Sequence, residues 1–98
     1  MTKIKVQTQE NLATDLVTFI YMKFIAPISI NGKEPSDRKY QEITSIGRTT
    51  INKIKKCEGY DVPFSTISRI CKYAEISLSE FFTMFEAYLK EKEAKMEK

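Results

Sequence analysis

The chain has 98 residues, of which 42% are hydrophobic, 16 are Lys or Arg and 13 are Asp or Glu. This length fits one domain, residues 1–98, with a single core, and it excludes a two-domain enzyme. With no His and only two Cys, the sequence offers no imidazole base, no Ser-His or Cys-His pair and no four-ligand zinc site. We therefore expect a protein that is not an enzyme and that binds no metal, no cofactor and no small-molecule ligand.

Positive charge is concentrated in one window of the chain. The formal net charge is only +3, but residues 38–57 contain six basic residues and one acid. Residues 1–37 are neutral overall, and residues 58–98 carry eight acids against six bases. Two interpretations remain open, namely a contact surface for an anionic partner, most commonly nucleic acid, or a solvated basic surface without a partner.

No segment of the sequence predicts export or membrane insertion. Residues 1–10 lack an apolar stretch of signal-peptide length, and polar residues and Pro27 interrupt the most apolar run, residues 16–30. The Cys content fits free thiols in a reducing compartment. We expect a cytoplasmic protein without membrane contact.

The first predicted helix starts after Thr8, a candidate N-cap, and ends before Pro27. Turn-forming residues then predict a long loop. Within that loop, Ile28 and Ile30 alternate with polar residues, as apolar and polar residues do in the N-terminal arm, residues 1–8. This alternation allows a short β-pairing between arm and loop.

Two short helices follow in residues 37–56. Ser36 or Asp37 caps helix 2, which runs to about Thr44, and after a break helix 3 runs from about Arg48 to Lys56. Between its inward positions, helix 3 carries a polar surface rich in hydrogen-bond donors.

Two longer helices complete the predicted fold. Pro63 opens helix 4, and a Ser77/Glu80 capping box opens helix 5. Residues 90–98 are predicted to extend helix 5 as a fraying tail. The apolar spacing predicts these inward positions: Phe64, Ile67, Ile70, Cys71 and Ala74 on helix 4, and Leu78, Phe81, Phe82, Phe85 and Leu89 on helix 5.

The segments SIGRTTINKIKK and VPFSTISRICKYAEISLSEFF resemble the helix-turn-helix domain of the phage repressor and Cro type, also called the xenobiotic-response-element type. The similarity covers roughly residues 38–82, and its second half is the more specific part. It implies an all-α, five-helix repressor-like domain whose helix 3, residues 48–56, is the recognition helix. Its function would be sequence-specific binding of double-stranded DNA by a transcriptional regulator, in particular a small repressor.

The resemblance also implies which side chains contact DNA. Candidates for base contact lie at the start of helix 3 and one turn later: Arg48, Thr49, Asn52 and Lys53. Candidates for phosphate contact lie on helices 2 and 3: Arg38, Lys39, Thr50, Lys55 and Lys56. The family often has Glu at position 55, paired with an Arg on helix 1, so the Lys found here is expected to be free for phosphate.

One short recognition helix reads few base pairs, so we expect a homodimer on a palindromic operator. Helix 5 has more apolar side chains than one small core needs, and its candidate dimer contacts are Met84, Phe85 and Tyr88. The alternative function is a protein-interaction adaptor or antitoxin-like partner that keeps the helix-turn-helix fold without binding DNA.

Overall fold

The computed structural model describes the backbone of residues 9–96 and the side chains of residues 12–94. In this part of the chain there are five α-helices and one π-helical turn, and there is no β-strand. The predicted all-α fold is therefore confirmed. The helices are α1 (Gln9–Ile20), α2 (Asp37–Thr44), α3 (Arg48–Lys56), α4 (Phe64–Ala74) and α5 (Leu78–Met96), and the π turn, Tyr21–Ile25, continues α1.

The predicted helix boundaries agree closely with the observed ones. Ser36 is the N-cap of α2, and its hydroxyl accepts a hydrogen bond of 3.2 Å from the Lys39 N–H. The capping box of α5 is also formed, because the Ser77 hydroxyl accepts from the Glu80 N–H at 3.0 Å and the Glu80 carboxylate accepts from the Ser77 N–H at 2.8 Å. Thr8 and the N-terminal arm, with its predicted β-pairing, lie outside the described residues.

The π turn at the end of α1 changes which side chains face inward. The Ala26 N–H donates to the Tyr21 carbonyl, five residues back, at 2.7 Å. With one extra residue in this turn, the adjacent Phe24 and Ile25 are both buried, while Met22 and Lys23 are exposed.

The core is centred on the contact between α1 and α5. The Phe19 ring lies 5.4 to 5.8 Å from the ring centroids of Phe24, Phe81, Phe85 and Tyr88. Farther along the same two helices, Lys92 forms an ion pair with the buried Asp15. No helix among the described residues is both long and apolar enough to cross a membrane.

Of the positions predicted to face the core on α4 and α5, three are wrong. Phe64 is 62% exposed, and the buried apolar side chain that precedes α4 is Val62, from the loop. Leu78 and Phe82 are each 40% exposed, because α5 packs mainly through Phe81 and Phe85. The spacing rule fails here because it does not show how wide a stripe the neighbouring helices cover. The other predicted positions are buried or packed against the core: Ile67, Ile70, Cys71, Ala74 and Leu89.

Candidate nucleic-acid interface

A three-residue turn joins α2 to α3, and the side chain of Thr44 fixes it. The Thr44 hydroxyl donates to the Tyr40 carbonyl at 2.8 Å and accepts from the Ile46 N–H at 3.1 Å. Ser45 ends α2 in the left-handed conformation, at φ 66°, and Ile46 is fully buried. The angle between the two helices is therefore set by a buried side chain and two hydrogen bonds. Sequence reasoning missed Thr44, whose only signal was a hydroxyl at the end of a helix.

The two sides of α3 have different roles. Ile51 and Ile54 are fully buried and hold the helix against the core. The opposite side is exposed, and Thr50 is half-buried at its edge. Residues three and four apart share a helix face, so the four predicted base contacts lie together on this exposed side: Arg48, Thr49, Asn52 and Lys53. Lys56 lies on the same side, one turn farther along the helix.

The exposed side of α3 is positively charged, and its cations form no ion pair with any residue the structure describes. Arg48 and Lys56 have no carboxylate partner within that part of the chain. The ammonium group of Lys53 lies 5.4 Å from the centroid of the Tyr60 ring, a contact that leaves its charge available. Three lysines in the last turn also interact favourably with the helix dipole, which supports α3 independently of any ligand.

Lys55 is not free of ion-pair partners, contrary to the expectation from the sequence. Its ammonium group lies 2.7 Å from a carboxylate oxygen of Glu34 and 3.5 Å from one of Asp37. The same group lies 5.3 Å from the centroid of the Tyr40 ring, and the Lys55 side chain is only 27% exposed. The hydrogen bond to Glu34 raises the pKa of Lys55 above its ordinary value. An internal ion pair therefore exists at this position, with Lys on α3 and its carboxylate partners before and at the start of α2.

The predicted phosphate contacts on α2 are exposed. Arg38 has no ion-pair partner among the described residues, whereas Lys39 lies 3.1 Å from Glu42 on the same helix. Both members of that pair are at least half exposed, and such pairs contribute little stability. Lys39 can therefore exchange this partner for an anionic ligand at little cost.

Residues 39–86 match the Cro/C1-type HTH DNA-binding domain, which covers about half of the chain. The chain belongs to this family. The match confirms the resemblance and includes all of α3 and α2 from Lys39 onward, so this is a DNA-binding protein of the regulator type. The Cro/C1-type family is one of DNA-binding domains and is generally non-enzymatic. Comparison with curated proteins and with solved structures gives no significant match.

The three predicted dimer contacts do not share one environment in the structure. Phe85 is 7% exposed and packs against the Phe19 ring in the core, so it offers almost no surface to a second chain. Met84 and Tyr88 are half-buried, and they line a surface groove of about 340 Å³ between α5 and the π turn. The π turn precedes the segment that matches the family.

Proposed function

We propose that this protein is a sequence-specific transcriptional regulator, in particular a small repressor, that inserts α3 into the major groove of DNA. The observation that carries the proposal is the exposed side of α3, where donors suited to base edges lie together on a helix of the Cro/C1-type domain: Arg48, Thr49, Asn52 and Lys53. Arg48 is suited to the two acceptors of guanine, and Asn52 to the donor and acceptor of adenine.

Phosphate contacts would fix the protein in register along the duplex. Arg38 and Lys39 at the start of α2 and Thr50 and Lys56 on α3 are accessible to do so, whereas Lys55 must first give up Glu34. The short recognition helix favours a homodimer on a palindromic operator. A regulator of this type would work in the cytoplasm with the DNA that it controls.

A titration of labelled duplex DNA tests the proposal. We expect binding to weaken steeply between about 50 and 200 mM salt, because phosphate contacts release counterions. On the preferred site, selected from random DNA, Arg48→Ala should cost about 1 to 3 kcal/mol of binding free energy.

Arg69→Ala is the matched control, because Arg69 is an exposed arginine on α4 outside the helix-turn-helix unit. It should bind DNA like the wild type. Absence of binding at low salt, or equal losses in the two variants, would contradict the proposal. The first of these results would favour the adaptor without DNA binding.

A further inference from the structure

The groove between the π turn and α5 has apolar walls that the single chain leaves open. Met84, Ala87 and Tyr88 form the α5 wall, and Met22 lies on the π-turn wall. The Met22 side chain is 59% exposed, although it is one of the large apolar side chains of the protein. An exposed Met beside an apolar groove costs solvation free energy unless another surface covers both.

The π turn is the reason that Met22 faces outward. The inserted residue allows Phe24 and Ile25 to fill the core side by side, and it leaves Met22 and Lys23 next to the groove. Extra residues of this kind in a helix are often found at functional sites. The same backbone feature therefore completes the core and presents an apolar side chain to solvent.

Each wall of the groove carries one charged residue, and the two charges are opposite. Lys23 lies on the π-turn wall and Glu91 on the α5 wall. Both are exposed, and neither forms an ion pair with any residue in the described part of the chain. The surface thus consists of an apolar strip with a positive edge and a negative edge.

We propose that this groove is the contact surface between two copies of the chain, with Lys23 of each copy paired with Glu91 of the other. The inference rests on the proposed dimeric regulator and specifies how its subunits associate. A two-fold axis that runs along the groove exchanges its walls, so the positive edge of one copy meets the negative edge of the other twice. The same operation places Met22 of one copy against the apolar α5 wall of the other.

Charge reversal tests this pairing without DNA. Sedimentation velocity at tens of micromolar should show a wild-type dimer. Lys23→Glu alone and Glu91→Lys alone each place like charges at both contacts, so each should weaken dimerisation at least about tenfold. An equimolar mixture of the two variants should form a heterodimer, since both of its contacts then pair opposite charges.

Dimerisation that is restored in the mixture cannot arise from an ion pair within one chain. It would therefore show that Lys23 and Glu91 pair between two chains. Glu86→Lys is the matched control, because Glu86 is an exposed acid of α5 that does not line the groove, and this variant should dimerise like the wild type. Circular dichroism should show that all variants are folded.

A wild type that is still monomeric at tens of micromolar would overturn the inference, as would charge variants that still dimerise or a mixture that stays monomeric. Binding of the monomeric variants to a half-site duplex tests the DNA-binding proposal separately.

Discussion

Lys55 lies on the helix whose other basic side chains are exposed, with its ammonium group 2.7 Å from Glu34. The Glu34 side chain is 59% exposed, so the ion pair lies at the protein surface. Glu34 neutralises the positive charge that a DNA phosphate would otherwise bind. Glu34→Gln removes the nearer of the two carboxylates beside Lys55 and leaves only Asp37, at 3.5 Å, so it should make Lys55 more available to DNA. We expect higher affinity at low salt and a log K against log salt slope that is steeper by about 0.9, the effect of one more phosphate contact.

Glu58→Gln provides the control for this prediction, because it removes an exposed carboxylate near the end of α3 that has no ion-pair partner among the described residues. It changes the net charge equally without releasing a lysine. A slope that is identical in the two variants would show that Lys55 gains no phosphate contact.

The sequence predicts some residues of the candidate DNA-binding surface and misses others. Arg48 and Lys53 were predicted to be exposed because Ile51 and Ile54, at helical spacing, define the buried side of α3. The Lys55 pair could not be predicted, because Glu34 is 21 positions away in a loop whose path no periodicity defines. Local patterns thus identify a helix face, whereas partners from loops depend on tertiary structure.

At the scale of elements, the orientation of α3 depends on the turn that Thr44 stabilises. Thr44→Val preserves the shape of the side chain but removes both hydrogen bonds and leaves the Ile46 N–H unsatisfied in a buried position. We expect a loss of about 1 to 3 kcal/mol in the free energy of unfolding, measured by urea denaturation. DNA affinity should fall as well, because α3 would no longer be held in one orientation.

The same substitution at the exposed Thr49 is the control. Thr49→Val should change the free energy of unfolding by less than about 0.5 kcal/mol. Thr44→Ser should recover much of the stability, since it restores the hydroxyl. Equal effects of Val at the two positions would mean that the turn does not depend on the Thr44 hydrogen bonds.

The elements themselves were largely predictable, because caps and breakers are local signals. The bounds of α2 and α3 follow from Ser36 and the break before Arg48. The π turn was not predictable, because its extra residue is favoured by packing two adjacent side chains, Phe24 and Ile25, into a core that α5 completes. Tertiary packing is therefore the origin of the feature on which the proposed dimer surface depends.

For the whole molecule, four titratable groups make stability depend on pH on the alkaline side. The chain has no His, so no side chain with an ordinary pKa near neutrality contributes. Hydrogen bonds to Glu34 and Asp15 raise the pKa values of Lys55 and Lys92, and burial raises those of Tyr40 and Cys71. All four groups therefore keep their protons more tightly in the folded state than in the unfolded state.

Because the folded state binds more protons, the free energy of unfolding must decrease as pH rises through these pKa values. The unfolded values are 9.0 for Cys71, 10.0 for Tyr40 and 10.5 for the two lysines, so this stabilisation is complete below pH 9 and is lost above it. Urea denaturation under reducing conditions from pH 7 to 11 should show a decline that begins near pH 9. Tyr40→Phe should reduce the decline above pH 10, since it removes one of the four groups. A wild-type stability that stays constant or rises to pH 11 would show that these protons are not held more tightly in the fold.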